Sequence, residues 1–182
     1  MFKTSITTKD GRKIVLREPR MSDAKGAMIL INDLVRNGGA EGIGIDKTMT
    51  LAEEKKWLKG HLKNIRNRRT VFLIFEHNGR IIGSCGVNME EGMSRHTAYF
   101  GIAVEKEYRR QGISMKAMSI LFRLLKKRMK GINIIILNVH SYNTPAIKLY
   151  RKLGFRKVAT LPDAVKRRGK LYPKHVMYYY LK

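Results

Sequence analysis

A short basic loop with one glycine joins a predicted strand to a predicted helix, and it constrains this chain more than any other segment. The loop, residues 108–114, follows the apolar run 99–104 and precedes a helical pattern over residues 114–129. The first turn of a helix has backbone N–H groups without intrahelical partners, and the macrodipole adds partial positive charge there. Because Gly112 has no Cβ, the backbone can approach an anion closely. The segment therefore predicts a phosphate-binding loop.

The type of phosphate loop follows from a short motif. The sequence contains no G-x-x-x-x-G-K-[ST], and its glycine-rich segment 38–44 does not fit G-x-G-x-x-G because Lys47 occupies the third glycine position. What remains is R-x-x-G-x-S, at Arg109, Gly112 and Ser114. This resembles the acetyl-CoA pyrophosphate loop of the GNAT acetyltransferase superfamily, [RQ]-x-x-G-x-[GA], with Ser114 in place of the last small residue. Taken alone, the motif is also compatible with a solvated loop.

A second motif follows about thirty residues later. Residues 134–139 form an apolar strand candidate, after which Thr144 is the expected N-cap of a short helix, Pro145 suits its first position and Gly154 its C-terminal end. The segment resembles the GNAT pattern V-x-x-x-N-x-x-A-x-x-[LF]-Y-x-[KR]-x-G-F. The matching residues are Val139, Asn143, Ala146, Leu149, Tyr150, Lys152, Gly154 and Phe155. Together the two motifs identify the chain as similar to GNAT proteins over roughly residues 70–160.

The remaining pattern predicts the elements of that fold. Ser22 is the expected cap of the first helix, Thr50 and Glu53 form a capping box, and Asn78-Gly79 predicts a type I′ hairpin turn. The predicted elements are a strand at 13–18, helices at 23–36 and 50–67 around a loop at 37–49, strands at 70–77, 80–89 and 97–104, and closing strands at 156–161 and 175–181. The resemblance implies an α/β (α+β) GNAT fold. Its mixed, mostly antiparallel twisted sheet contains a splayed parallel strand pair and is flanked by about four helices, in a single domain over residues 1–182.

Composition limits the class of protein. A chain of 182 residues can bury one sizeable core, and no run of eighteen apolar residues predicts a transmembrane helix. The N-terminal residues lack the apolar stretch of a signal peptide. The single cysteine, Cys85, lies in an apolar strand pattern, which predicts an inert core thiol and excludes an internal disulfide framework. These features predict a cytoplasmic protein.

The resemblance implies acetyl-CoA as co-substrate, and it implies no metal. Its pantetheine arm would lie between the splayed strands and pair with the backbone, and its pyrophosphate would sit on the N–H groups of the basic loop. Asn143 would hydrogen-bond the cofactor. The implied cofactor-binding residues are Ile102, Ala103, Val104, Arg109, Arg110, Gln111, Gly112, Ile113, Ser114, Met115 and Asn143.

The implied chemistry is acyl transfer from a thioester to a neutral amine. Tyr150 stands where the family usually places the general acid, since a phenol near the leaving sulfur can supply its proton. The alternative is that Tyr150 is an amphipathic helix residue at the edge of the core. Many relatives carry a base Glu at positions that are Tyr99 and Asn138 in this sequence, and neither can take that role directly. The candidate substitutes are a water chain or a side chain among His96, His140, Glu41, Glu90 and Glu91.

The missing carboxylate favours an acceptor of low pKa. An α-amine is roughly a tenth neutral at pH 7, whereas a lysine amine is neutral only about four times in ten thousand. The tail at residues 169–177 resembles G-x-[YF]-x-D-x-x-x-M of acetyltransferases for ribosomal-protein N-termini, polyamines and amino acids, with Pro173 in place of Asp. A protein or peptide N-terminal α-amine is the preferred acceptor, and a lysine or a small-molecule amine is the alternative.

The charge balance suggests a further partner. The chain has 38 Lys and Arg against 14 Asp and Glu, a formal net charge of +24. A solvated basic surface and an acidic partner such as nucleic acid or a ribosome are both compatible with it. A catalytically weak GNAT-fold module that binds such a partner is therefore the alternative to an N-acetyltransferase. The oligomeric state is left open, with a dimer as one option.

Overall fold

The computed structural model describes residues 1–37, 45–167 and 169–181. The chain forms two compact units, one comprising Met1–Asn88 and Gly101–Lys130 and the other Met89–Phe100 and Gly131–Lys182. Most of the predicted glycine-rich loop, residues 38–44, lies outside the described residues. The single domain over residues 1–182 remains a prediction.

The first unit contains three helices and the N-terminal strands. Its elements are β1 (Lys3–Thr7), β2 (Lys13–Arg17), α1 (Ala24–Arg36), α2 (Leu51–Arg66), β3 (Thr70–His77), β4 (Arg80–Met89, apart from its last residue), the second half of β5 (Thr97–Val104) and α3 (Ile113–Arg128). Leu30 and Leu34 of α1 pack with Ile74, Ile81 and Ala103 of β3, β4 and β5 to form a buried cluster. The apolar alternation of the strands and the helical spacing of α1 thus bring these side chains together.

Two local sequence signals lie where they were predicted. Glu53 N–H donates to Thr50 Oγ1 at 3.3 Å and Thr50 N–H donates to Glu53 Oε2 at 2.8 Å, which is the capping box expected for α2. Asn78 and Gly79 have φ values of +49° and +76°, so both central residues of the β3–β4 turn adopt the left-handed region that a type I′ turn requires.

The second unit contains the other strands and α4. Its elements are the first half of β5, β6 (Ile134–His140), α4 (Thr144–Lys152), β7 (Arg156–Arg167) and β8 (Lys170–Tyr180). β5 and β6 are parallel, but their register covers only Thr97–Tyr99 against Ile134–Ile136, although both strands continue. β8 is antiparallel to both β6 and β7.

In the described ranges the strands pair in the order β1-β2-β3-β4-β5-β6-β8-β7. This mixed sheet with helices α1–α4 confirms the predicted fold class, and the short parallel ladder is what a splayed strand pair requires. Within residues 1–37, 45–167 and 169–181, no helix has an apolar stretch long enough to cross a bilayer.

Several predicted boundaries were wrong. β1 was not predicted, and the closing strands extend past the predicted 156–161 and begin before the predicted 175. The register shift between Leu161 and Val165 accommodates Pro162 within β7. Ser22 does not cap α1, because residues 21–23 form a 3-10 turn and Asp23 accepts the Arg20 N–H at 2.6 Å. Cys85 is buried as predicted, and burial raises the pKa of its thiol.

Candidate functional site

The predicted phosphate loop contains two left-handed residues and leads directly into the N-terminus of α3, all in the first unit. Arg110 has φ +62°, and Gly112, the N-cap of α3, has φ +81°. The Lys116 N–H donates to the Gly112 carbonyl at 3.2 Å, so the N–H groups of residues 113–115 precede the first α-helical hydrogen bond of α3. Left-handed residues occur in loops whose backbone N–H groups bind anions, and the helix dipole adds positive potential at the N-terminus of α3. The local geometry is therefore that of an anion site.

Neighbouring residues hold this loop in place. The Lys9 N–H donates to the Gln111 carbonyl at 3.2 Å, and Arg109 Nε donates to the Val104 carbonyl at 2.8 Å. Tyr108, at the start of the loop, is buried and hydrogen-bonds His77 Nδ1 through its hydroxyl at 2.9 Å. The turn between β1 and β2, the strand β3 and the strand β5 supply these contacts, so the backbone of the loop is held from several sides.

The side chains of the loop differ in their exposure and in their contacts. Arg110 is exposed, whereas Ile113 is only 1% exposed and belongs to the core, so its predicted role can use only its backbone N–H. The Arg109 guanidinium is tied to β5 through Nε. Ser114 and Met115 are half-buried, as is Gln111, whose Oε1 is a buried atom without a hydrogen-bond partner in the described part of the chain.

An anionic group fits over Gly112. A Cβ built on this residue would have no atom within 4 Å, so the space above the loop is open. A side chain at Gly112 would enter the space that an anion needs to reach the N–H groups. The residues present therefore fit the pyrophosphate of acetyl-CoA, while the individual cofactor-binding residues remain predictions.

The end of β5 supplies backbone groups. Ile102 is half-buried, and Ala103 and Val104 are buried, so side-chain contacts from this segment are limited. The Val104 carbonyl already accepts from Arg109 Nε. The predicted pairing with a pantetheine arm would therefore depend on the backbone groups of Ile102 and Ala103.

A cleft of about 490 Å³ lies beside this segment in the first unit. It is lined by Asp33, Leu34, Asn37, Arg80, Glu105, Lys106, Glu107 and Arg109. Arg80 forms ion pairs with Glu105 at 2.5 Å and with Glu107 at 2.7 Å. Burial raises the pKa of Glu105. The carboxylates make the lining unfavourable for a phosphate. Across the described ranges, no group of three or more His, Cys, Asp and Glu side chains is placed to hold a metal ion.

In the second unit, Asn143 is the N-cap of α4. Its Oδ1 accepts the Ala146 N–H at 3.3 Å, so Thr144 is the first helical residue and not the cap that was predicted. The described residues provide no hydrogen-bond partner for the Asn143 Nδ2 group. One end of this amide therefore holds the helix, and the other has hydrogen-bond donors to offer.

Tyr150 lies on the inner face of α4. It is 7% exposed, and its ring packs edge-on against Phe100 of β5 at 6.3 Å. Burial raises the pKa of its phenol to about 12. At neutral pH the hydroxyl therefore keeps its proton, as a general acid must. The catalytic role of Tyr150 remains a prediction.

The described candidate positions for the general base lie at two places in the second unit. Tyr99, which pairs with Ile136, is 40% exposed, and alternation along β6 puts Asn138 and His140 on the same sheet face as Ile136. His140 Nδ1 is 2.9 Å from the Tyr142 hydroxyl, a partner that sequence analysis missed. The other described candidates flank the N-terminal end of β5, away from His140; they are Glu90, Glu91 and His96. Glu41 lies outside the described residues.

Tyr142 also belongs to an aromatic cluster at the end of the β7–β8 hairpin. The Arg167 guanidinium lies 4.7 Å above the Tyr142 ring, and Tyr172 contacts that ring edge-on at 5.1 Å. The Ser141 N–H donates to the Pro173 carbonyl at 3.0 Å and ties the loop after β6 to β8. The only sequence signal for this cluster was the resemblance of the tail at residues 169–177.

Comparison with known proteins places the chain in a family. The profile of the acetyltransferase (GNAT) family matches residues 43–155. The chain is 28% identical over 109 residues to an N-alpha-acetyltransferase of Sulfurisphaera tokodaii, covering 55% of this chain and 65% of that protein. It is also 28% identical over 101 residues to an L-amino acid N-acetyltransferase of Escherichia coli, covering 55% of this chain and 62% of that protein. The matched segments thus span less than two thirds of either relative.

A solved structure agrees with the fold. The crystal structure of a GNAT superfamily phosphinothricin acetyltransferase from Sinorhizobium meliloti in complex with acetyl-CoA superposes with a TM-score of 0.77 at 19% identity, covering 92% of this chain and 88% of that chain. At this identity the likeness establishes the fold. Since the family profile matches well over half of the sequence, the protein belongs to the acetyltransferase (GNAT) family.

Proposed function

We propose that this protein is an acetyl-CoA-dependent N-acetyltransferase that acts on a primary amine, preferentially the N-terminal α-amine of a peptide or protein. The observation that carries the proposal is the loop before α3, where Arg110 and Gly112 adopt left-handed conformations beneath open space. A loop of this shape binds phosphate through backbone N–H groups. The family to which the chain belongs supports acyl transfer as the reaction.

Each proposed cofactor-binding group has a defined task. The N–H groups of residues 110–115 bind the pyrophosphate, and Arg110, which is exposed, adds charge beside it. Arg109 acts mainly through its hydrogen bond to Val104, which fixes the loop against β5. Asn143 caps α4 with its oxygen and donates to the cofactor from Nδ2.

Acetyl-CoA supplies the acetyl thioester. The amine bonds to the acetyl carbon, the bond from that carbon to sulfur breaks, and the departing thiolate requires a proton. Tyr150 holds this proton at Oη, since burial keeps the phenol neutral with a pKa of about 12. The amine must lose a proton before or during attack, and His140, which is hydrogen-bonded to Tyr142, is the side chain we assign to its removal, directly or through water.

The acceptor is argued from its proton affinity and from the relatives. Deprotonating a lysine at pH 7 costs roughly 4–5 kcal/mol, compared with about 1 kcal/mol for an α-amine. No carboxylate stands at positions 99 or 138 to offset the larger cost. The two relatives described above are named for N-alpha-acetylation and for N-acetylation of L-amino acids. A free L-amino acid is therefore the second acceptor to test.

Release of CoA measures the reaction directly. The chain's one cysteine, Cys85, is 1% exposed, so a colorimetric thiol reagent will report CoA with little background. Purified protein should release CoA from acetyl-CoA when a peptide with a free N-terminus is added. Acetyl-CoA binding without turnover on peptides, amino acids and lysine derivatives would contradict the proposal in favour of a binding module.

A further inference from the structure

The outward face of α2 and the turn after it carry a dense run of positive charge. Between residues 55 and 69 the sequence contains no Asp or Glu and seven basic residues: Lys55, Lys56, Lys59, Lys63, Arg66, Arg68 and Arg69. Lys55, Lys59 and Lys63 recur every four residues, which places them along one side of the helix. Opposite them, Leu58 and His61 are buried. The basic stripe is therefore a continuous surface feature.

The lysines of α2 and Arg66 have no carboxylate oxygen within 4.0 Å in the part of the chain that the structure describes. The two acids at the start of α2 are engaged elsewhere, since Glu53 closes the capping box and Glu54 is 2% exposed. By contrast, Arg17 and Arg80 of the same unit each pair with two carboxylates.

An aromatic platform borders the stripe. Trp57, the chain's one tryptophan, is 44% exposed. The buried His61 ring stacks on one face of the indole at 4.4 Å and 17°, and Phe72 contacts it edge-on at 5.9 Å. These contacts fix the orientation of the indole, and a ligand can stack only on the face opposite His61.

A glycine lies between the lysines and the tryptophan. Gly60 is four residues after Lys56 and three after Trp57, in the middle of α2, and a Cβ built on it would meet nothing within 4 Å. Glycine inside a helix is destabilising relative to alanine, and here close packing does not require it. Because Gly60 has no side chain, another molecule can approach the backbone of α2 closely at this position.

We propose that the α2 strip, comprising Lys55, Lys56, Trp57, Lys59, Gly60, Lys63 and Arg66, binds single-stranded nucleic acid. The lysines and Arg66 contact phosphates, a base stacks on Trp57, and the strand passes over Gly60. Charge alone would equally fit an acidic protein or an anionic membrane, but an oriented, half-exposed indole beside lysines matches the stacking platforms of single-strand binding. None of the residues proposed above for acetyl transfer lies in this strip.

The single tryptophan makes the first test direct. Titration with an oligothymidylate of about 20 nucleotides at low salt should quench the intrinsic fluorescence of Trp57 as a base stacks on it. Log affinity should fall linearly with log salt, by about 0.7 for each phosphate contact. Replacing Lys55, Lys59 and Lys63 by Gln should lower that slope by about 2. The matched triple replacement of Lys126, Lys127 and Lys130 by Gln, which removes equal charge beyond the α2 strip, should leave the quench intact and lower affinity much less.

Substitutions at Trp57 and Gly60 test the stacking geometry. Anisotropy with a labelled oligonucleotide should show Trp57→Ala binding about 5- to 150-fold more weakly, the range for one lost base stack, and Trp57→Phe retaining most of the affinity. Gly60→Ala should raise thermal stability and yet weaken binding. Far-UV circular dichroism and acetyl-CoA affinity check that the variants remain folded.

Three results would overturn the proposal. The first is an absent fluorescence change at low salt, and the second is an equal loss of affinity in the two lysine triple variants. The third is binding to phosphatidylserine vesicles, or to an acidic peptide, with no binding to the oligonucleotide, which would assign the strip to that partner instead.

Discussion

The backbone N–H of Phe155 donates to the carbonyl of Tyr150 at 3.0 Å, and their rings lie 5.8 Å apart. The Gly154 N–H donates to the Arg151 carbonyl, also at 3.0 Å, so the pair of bonds closes a Schellman motif. Gly154 has φ +98°, which only glycine adopts without strain. The glycine and phenylalanine that end the sequence motif therefore fix the backbone and ring position of Tyr150.

Tyr150→Phe should separate proton donation from packing. The described part of the chain gives the Tyr150 hydroxyl no hydrogen bond, so its loss should leave the melting temperature nearly unchanged. If Tyr150 is the general acid, kcat should fall by about 10²-fold with acetyl-CoA affinity kept. Steady-state CoA release and calorimetry measure the two quantities. Tyr180→Phe, at a tyrosine that is 55% exposed, is the matched control, and undiminished turnover in Tyr150→Phe would assign the proton to another group.

Gly112→Asp should abolish acetyl-CoA binding. It places a side chain and a negative charge in the open space above the N-terminus of α3, where the pyrophosphate is proposed to sit. Gly131→Asp is a close control, since Gly131 also has positive φ, +94° against +81°, and nothing within 4 Å of a built Cβ. Both variants add one negative charge and a similar backbone strain. Calorimetry on the two therefore isolates the effect of the position on acetyl-CoA affinity. Equal affinity in the two would remove the loop from the binding site.

Two substitutions at Asn143 separate its capping of α4 from its proposed hydrogen bond to acetyl-CoA. Asn143→Asp keeps an oxygen that can accept the Ala146 N–H and loses the Nδ2 donor, whereas Asn143→Ala loses both. We expect Asp to preserve stability and weaken acetyl-CoA binding. We expect Ala to weaken binding and also to destabilise the protein by about 1 kcal/mol, the usual loss of an N-cap. Urea unfolding together with calorimetry resolves the two effects, and unchanged binding in both variants would leave Asn143 with a capping role alone.

The fold was predictable wherever a signal is local. The capping box at Thr50 and the turn at Asn78-Gly79 depend on residues within four positions of each other, and both lie where the sequence placed them. β1 was missed because its alternation, Lys3–Thr7, is short and polar on one side. β7 continues past the predicted Leu161 because a register shift accommodates Pro162, and an edge strand tolerates a proline at such a bulge.

Competing local choices and the conformations of loops limited prediction of the site. Asn143 and Thr144 are both good N-caps, and only the structure shows that the side chain of Asn143 accepts the Ala146 N–H. Alternation along β6 places His140 on the same face as Asn138, the position where many relatives carry a base Glu. This alternation could have distinguished His140 from the other base candidates. The hydrogen bond between Tyr142 and His140, two residues apart, depends on the turn that follows β6, and periodicity cannot reveal it.

Peptides with a free α-amine should be better acceptors than matched peptides with a blocked N-terminus and one free lysine. The expectation follows from the roughly 3–4 kcal/mol difference in deprotonation cost at pH 7 and from the absence of a carboxylate at Tyr99 and Asn138. Comparing kcat/KM for the two peptide sets at pH 7 and at pH 9 tests it, since the advantage should shrink as lysine deprotonates. Equal rates at pH 7 would require a base that none of these residues provides.

The stability of the protein should fall in a defined pH range because of His61. Burial against Trp57 and Phe72 lowers the pKa of this imidazole from 6.5 to about 4, and its Nε2 is a buried atom without a partner among the described residues. The folded state therefore favours the neutral ring, whereas the unfolded chain takes up a proton near pH 6.5. The contribution of His61 is complete above pH 6.5 and is lost as the pH falls toward 4, by up to about 3 kcal/mol.

A variant isolates this effect from the titration of carboxylates. His61→Phe keeps an aromatic ring between Trp57 and Phe72 but cannot bind a proton, so its stability should decline less between pH 6.5 and pH 4. Urea unfolding at half-unit pH intervals, with the two proteins compared at each pH, gives the difference directly, because every other group titrates in both. If the free energies of unfolding of the two proteins fell in parallel with pH, the prediction would be wrong. The protonated imidazole would then be solvated or paired, and its stack on Trp57 would open at low pH without cost to the fold.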